Sequence, residues 1–319
     1  MTLMSDKANY RVSLVKTRNP DGEGIKDAVF EAIDLCDFKW DSKAKKVVIK
    51  PNLCYYWDSS TGETTDKRVV AAVIDFVRER ISPDCEISIV ETDASAMKIK
   101  YAYRMLGYED LAEEKHITLV NGSKEDIMEK EACVNGKSCR LRFPTSLFNS
   151  DLIINVPKLK VGPFASGKAL HITCALKNLY GCIAVPKKVV YHSNIDEVIV
   201  AVNKMVKPHL TLVDGIVAKG KHPCKLNLIM AGTNGVCVDY VAPQIMGYNP
   251  FNVSHLRLAI KEGVTNFNGV KVVGEKLEEF RKEFPKVNNF MFKWSWKLQF
   301  SLLNLYAKIT GDTIPPAVE

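Results

Sequence analysis

With 319 residues, 46% hydrophobic and 25% charged, the chain has the composition of a globular protein long enough for one large α/β domain or two lobes. Its net charge of +7 suits an acidic small molecule, a membrane surface or nucleic acid, and so decides little by itself. No basic block interleaved with aromatics, no run of about 18 uninterrupted apolar residues and no CxxC occur, which argues against nucleic-acid binding, a simple spanning helix and an iron–sulfur cluster within the chain.

The nine cysteines have no zinc-knuckle spacing, and MTLMSDKANYRV holds no continuous apolar region of secretory type. A cytoplasmic protein with reduced thiols is expected.

Arg11 to Lys16 alternates as a first strand, and a helix follows with Ile25, Val29, Ile33 and Cys36 on one face. The β-branched run KKVVIKPN (45–52) is a strand closed by Pro51, which lacks a backbone donor. After a polar loop (58–66), RVVAAVIDFVRER predicts an amphipathic helix capped by Thr64, Thr65 or Asp66. A strand at 86–92, a helical region at 101–114 and a strand at 117–121 complete a βαβαβαβ half. Residues 122–142 read as polar and irregular, with a small hairpin around Asn135-Gly136.

DLIINVP (151–157) is continuously apolar, as expected of a strand covered on both faces. Helices are expected at 195–206, 236–247 (interrupted or bent at Pro243) and 255–263, with strands at 210–215 and 226–232 and an edge strand at 270–274. The alternation implies a doubly wound, mainly parallel α/β sheet within residues 1–274, in one body or in lobes 1–125 and 140–274. Residues 275–319 read as a helical, aromatic-rich appendage. Within it, 289–309 carries Trp294, Trp296 and several phenylalanines on a broad apolar face; packing on the domain, a homodimer contact, a peripheral membrane contact and a lid over a substrate all stay open.

Ligands of open α/β sheets bind beyond the carboxyl ends of the strands. Four such ends gather polar groups here: Lys50-Pro51-Asn52, Glu91-Thr92-Asp93, Asn155 to Lys158, and Asp214-Gly215. Between Asp151 and His192 the chain carries Lys158, Lys160, Lys168, His171, Lys177, Asn178, Lys187, Lys188 and His192, against one acid, Asp151. Such a surplus of cations points to an anion site. Lys50, Asn52, Lys158, Lys160, Lys168 and Asn178 are its candidate binding residues, and an anion or a carboxylate such as Glu91 is expected to neutralise the Lys158/Lys160 pair. Lys177, in a helix capped by Thr173, is expected to be buried with a depressed pKa, fit for a base or nucleophile; a carboxylate-paired structural lysine is the alternative. His192, Glu91 and Asp214 are candidates for proton transfer, His171 and His192 for a divalent metal, and each has a structural alternative as a cap or core residue. Gly162 to Lys168 satisfies GxxxxGK, but Ala169 stands where a magnesium-holding hydroxyl belongs, which favours a generic anion loop over a nucleotide P-loop. Asp239 is expected in the first turn of its helix, where the dipole favours an acid.

VVIKPNL, IVET, DLIINVPKLK, ALKNLYG with a downstream His, LVDGI and VCVDYVAPQIMG, in this order over 45–265, resemble the domain-of-unknown-function family numbered 362. That resemblance implies no settled activity. Relatives often read PKLKTH where this chain has Val161-Gly162, and an acidic GP segment where it has Val217 to Pro223. A weaker resemblance is to the nickel-pincer lactate racemase family, which implies that Lys177 holds a cofactor or anion and His192 ligates metal or moves protons. The expectation is an enzyme acting on an anionic small molecule, lactate-racemase-like proton transfer being one form. An electron-transfer accessory protein and a scaffold docking through 289–309 are the alternatives.

Overall fold

The computed structural model describes residues 10–19, 22–40, 43–94, 97–161, 172–185, 187–284 and 309. Its first half runs β1 (Arg11–Lys16), α1 (Gly22–Leu35), β2 (Lys46–Pro51), α2 (Lys67–Arg80), β3 (Glu86–Glu91), α3 (Ile99–Met105), α4 (Tyr108–Lys115) and β4 (Thr118–Asn121). A hairpin of β5 (Ile127–Val134) and β6 (Lys137–Pro144) follows, then β7 (Leu152–Val156), β8 (Lys158–Val161), β9 (Ile172–Thr173), α5 (Ala175–Asn178) and α6 (Ile195–Met205). The remainder is β10 (Leu210–Lys219), β11 (Pro223–Gly232), α7 (Gly235–Ile245), α8 (Ser254–Lys261), β12 (Lys271–Gly274) and α9 (Leu277–Phe280).

One sheet takes strands from both halves of the chain, in the order β12-β1-β11-β10-β7-β2-β3-β4. Along this path β11 alone is antiparallel to its neighbours. β8 continues past β7 along β10 and also pairs with β9. Side chains alternate across the pleat, so consecutive residues of β2 and β7 enter different cores. Ile49 and Ile154 join the core beneath α1 to α4, whereas Val48 and Ile153 join the one beneath α5 to α8. Burial on both faces accounts for the unbroken apolar runs of these strands.

From β2 the chain proceeds outward to β3 and β4, and from β7 it proceeds the other way to β10. The topological switch therefore falls between the carboxyl ends of β2 and β7, where Lys50 is paired in register with Asn155. The loop leading into α2 is fastened across that gap: Thr65 Oγ1 accepts from Asn52 N at 2.9 Å and donates to Val156 O at 2.9 Å. Asp66 caps α2 by accepting from Arg68 N, as one of the three expected caps.

Three elements differ from expectation. The hairpin expected around Asn135-Gly136 is present, but it is larger than expected: two eight-residue strands extend to Pro144 through a region read as otherwise irregular. Alternating burial of Met128, Lys130 and Ala132 gives β5 a covered face despite its charges. The helical region after β3 divides at Gly107, whose left-handed φ of 71° ends one helix and starts the next. Pro243 does not interrupt α7, which runs on to Ile245 with the proline in its last turn.

Gly274 ends β12 at φ 84°, and a Cβ there would stand 2.4 Å from Leu14 O of the neighbouring strand. Gly274→Ala should destabilise the fold by about 1–3 kcal/mol in denaturant unfolding, through strain and loss of the β1–β12 edge pairing. A change within error would show that the edge strand yields freely.

Candidate functional site

The carboxyl ends of β2 and β3 bring Lys50 and Glu91 together in the interior. Lys50 Nζ donates to Glu91 Oε2 at 2.6 Å and to Pro51 O at 2.6 Å, and both side chains are fully buried. Glu91 Oε1 accepts from Thr92 N at 3.0 Å. Gly181 closes over the pair: a Cβ there would lie 3.0 Å from Lys50 Nζ and 3.2 Å from Glu91 Oε1. Lys188, absent from the candidates drawn from sequence, joins this cluster by donating to Thr92 Oγ1 and Asp93 O. Burial pulls its pKa down to about 8, with Glu91 opposing and Lys50 reinforcing the shift. Lys188 thus lies beside the Lys50–Glu91 pair without an ion-pair contact of its own to Glu91 among the described residues. Asp93 itself serves as a cap, accepting from Ile99 N at the start of α3.

The second pair lies at the ends of β8 and β10. Lys158 Nζ donates to Asp214 Oδ2 at 2.8 Å, and both are wholly inaccessible. The same carboxylate accepts from Asp66 N at 2.7 Å and Ile216 N at 3.0 Å. Lys160 Nζ donates to Glu63 O at 2.7 Å and to Glu63 Oε2 at 3.3 Å. Asp214 and Glu63, rather than Glu91, therefore neutralise the two lysines of β8. Glu91 is committed to Lys50 because the register sets Lys50 beside Asn155, and places β3 against β2 and not against β8.

Lys177 is different. Among the described residues its ammonium meets no carboxylate in ion-pair contact, and its one polar neighbour is Thr173 Oγ1 at 3.5 Å. Burial, followed by the nearby Lys160 charge, brings its pKa to about 8. The expected depression holds, but the expected cap does not: Thr173 belongs to β9, and Cys174 occupies the N-cap of α5 without a side-chain bond. Asp239 performs that service from another helix, its two oxygens accepting from Ala175 N at 2.7 Å and Leu176 N at 3.1 Å. Asp239 lies beyond the first turn of α7, so its purpose is to hold α5 and not to complement its own helix. Its pKa is raised to about 7 by burial, against these bonds.

Asn178 follows Lys177 and ties α5 to the switch point. Its Nδ2 donates to Asn155 Oδ1 at 2.8 Å and lies 3.3–3.4 Å from Lys50 O and Pro51 O. All three are acceptors, so the amide cannot be reversed. Its Oδ1 is buried without a donor among the described residues, as is Asn52 Oδ1. Both oxygens are enclosed at the strand ends, where most buried polar atoms have a partner.

His192 is exposed, with its ring centroid 6.2 Å from that of Tyr180. Lys168, His171, the glycine-rich loop 162–168 and the aromatic segment 289–308 lie outside the described residues. Among the described residues no three His, Cys, Asp or Glu side chains converge as metal ligands would, and no helix is long and apolar enough to cross a membrane.

A family model described as Domain of unknown function (DUF362) matches residues 47–244. No curated protein matches the chain. Among solved structures, the lactate racemase apoprotein from Thermoanaerobacterium thermosaccharolyticum is similar over 64% of this chain, with 14% identity and a TM-score of 0.37. This chain covers 50% of that one, and so slight a likeness does not bear on function.

Glu91→Gln should leave Lys50 buried without its counter-charge and lower unfolding free energy by about 3–5 kcal/mol. A loss below about 1 kcal/mol would mean that Lys50 sheds its proton or reaches water. For Asp239 the folded pKa of about 7 exceeds the ordinary 3.8, so its contribution is complete at low pH and declines as pH rises through about 7. Asp239→Asn should remove that decline, which urea unfolding between pH 5 and pH 8 would detect as a flatter profile than wild type.

Proposed function

The chain belongs to the DUF362 family, and we propose that it is an enzyme acting on an anionic small molecule, with Lys177 as its base or nucleophile. The observation that supports this reading is one of charge. Lys50, Lys158 and Lys160 each have a carboxylate within 3.3 Å, whereas Lys177 has none among the described residues and stands near a second cation. A lysine in such surroundings is partly unprotonated near neutrality and can accept a proton or attack a carbonyl. An approaching anion would restore the charge balance that the fold leaves incomplete. Nine unpaired thiols favour a cytoplasmic setting for this chemistry.

The test is a panel of small carboxylates and phosphates incubated with the protein in deuterated water and followed by NMR. Conversion or deuterium exchange should rise with pH through about 8, as Lys177 loses its proton. Lys177→Ala should abolish it while shifting thermal unfolding by no more than a few degrees. Undiminished turnover in that variant would remove Lys177 from the reaction, and failure to fold would assign it a structural role.

A further inference from the structure

A cavity of about 500 Å³ opens between the start of α2 and the β10–β11 hairpin, and Lys177 is not among its lining residues. Its size lies within the ~300–1,000 Å³ typical of small-molecule sites. The opening results from an irregularity in the sheet. Pairing of β10 with β11 shifts between Gly215 and Val217, and β8 meets β10 at Asp214 and then only at Lys219. Across the gap, Asn227 is held in the left-handed region at φ 51°, with its carbonyl fixed by Thr17 N at 2.8 Å.

The walls differ in kind. Leu106, Ile216 and Val217 form an apolar side, while Ser59, Ser60, Thr64 and Asn227 supply hydroxyl and amide groups. Four cations line the space: Lys67, Arg68, Lys158 and Lys225. Two are already matched, Arg68 by Asp66 at 2.7 Å and the buried Lys158 by Asp214 at 2.8 Å. Asp58 is occupied in accepting from Ser60 N at 2.9 Å. Lys67 and Lys225 meet no carboxylate in ion-pair contact among the described residues, and with Asp214 included the site keeps one positive charge in surplus. The amides at the start of α2 are largely spent, Asp66 N on Asp214 and Arg68 N on Asp66 itself. Recognition therefore falls to the side chains.

We infer that this cavity is a binding site for a small organic oxyanion, a phosphate or carboxylate carried on an apolar body. The oxyanion faces Lys67, Lys225 and the hydroxyls, and the body lies on Leu106, Ile216 and Val217. The site uses neither Lys177 nor any residue of the proposed reaction centre, and it stands whether or not that reading does. A ligand with no apolar part wastes the hydrophobic wall, and an uncharged one leaves the surplus cation unmatched.

The test is titration calorimetry of the full chain with phenyl phosphate, benzoate and inorganic phosphate. One of the two aromatic anions should bind saturably, more tightly than inorganic phosphate, and more weakly as salt is raised. Whichever aromatic anion is preferred names the oxyanion. Lys67→Glu/Lys225→Glu, both at exposed positions, should weaken that binding by about tenfold or more. Ser60→Trp, filling the mouth from an exposed residue, should abolish it, and Lys177→Ala should leave it unchanged. The inference is overturned by the absence of saturable binding at millimolar concentration, by binding within twofold of wild type in the double variant, or by loss of binding in Lys177→Ala.

Discussion

A single buried carboxylate, that of Asp214, joins three parts of the molecule that approach one another at the carboxyl edge of the sheet. It receives the Lys158 ammonium from β8, the Asp66 amide from the start of α2, and the Ile216 amide from its own strand where the pairing with β11 shifts. Charge-assisted bonds of this kind, shielded from water, are strong and intolerant of displacement. They hold β8 against β10 and set the floor of the neighbouring cavity. Without this brace, the shift between Gly215 and Val217 would leave buried amides without acceptors.

Most of the cationic character of the Lys-rich stretch is consumed internally. A buried ammonium with a matching carboxylate contributes little net charge to a ligand, because desolvation has already been offset by its partner. Lys50, Lys158 and Lys160 are in that condition. What remains for binding is the imbalance: Lys177 beside Lys160, Lys188 beside the Lys50–Glu91 pair, and the exposed Lys67 and Lys225. Burial brings Lys177 and Lys188 to similar pKa values, but their settings differ. Lys188 is enclosed by Thr92 and the Asp93 carbonyl, whereas Lys177 keeps partial solvent contact.

The position of Lys177 depends on a helix of one turn, α5, which could not persist alone. It is secured at its start by a side chain from another helix and at its end by its own Asn178. Asp239 of α7 takes the first two amides, and Asn178 reaches Asn155 and the end of β2. Asn203 of α6 adds a bond to Leu176 O at 2.9 Å. Every one of these groups is buried, so the lysine projects from a rigid mount despite the brevity of its helix.

The sequence by itself determined the alternation of strands and helices, the burial of β2 and β7 on both faces, and the gathering of polar residues at four strand ends. Those features are local: they follow from β-branched runs, from helical periodicity and from Pro and Gly at boundaries. Lys177 was also legible, since a lysine in an otherwise apolar helix must be either matched or depressed. The tertiary structure alone decided which acid meets which lysine. Glu91 is 41 residues from Lys50 and Asp214 is 56 from Lys158, and these partnerships follow from strand order and register. The duty of Asp239 toward a helix 64 residues away, and the entry of Lys188 into the Glu91 cluster, have no signature in spacing. The turn at Asn135-Gly136 was legible from its residue pair, but the length of β5 and β6 was not, because their charged residues obscure a face that is covered only by packing against α6 and the adjoining core.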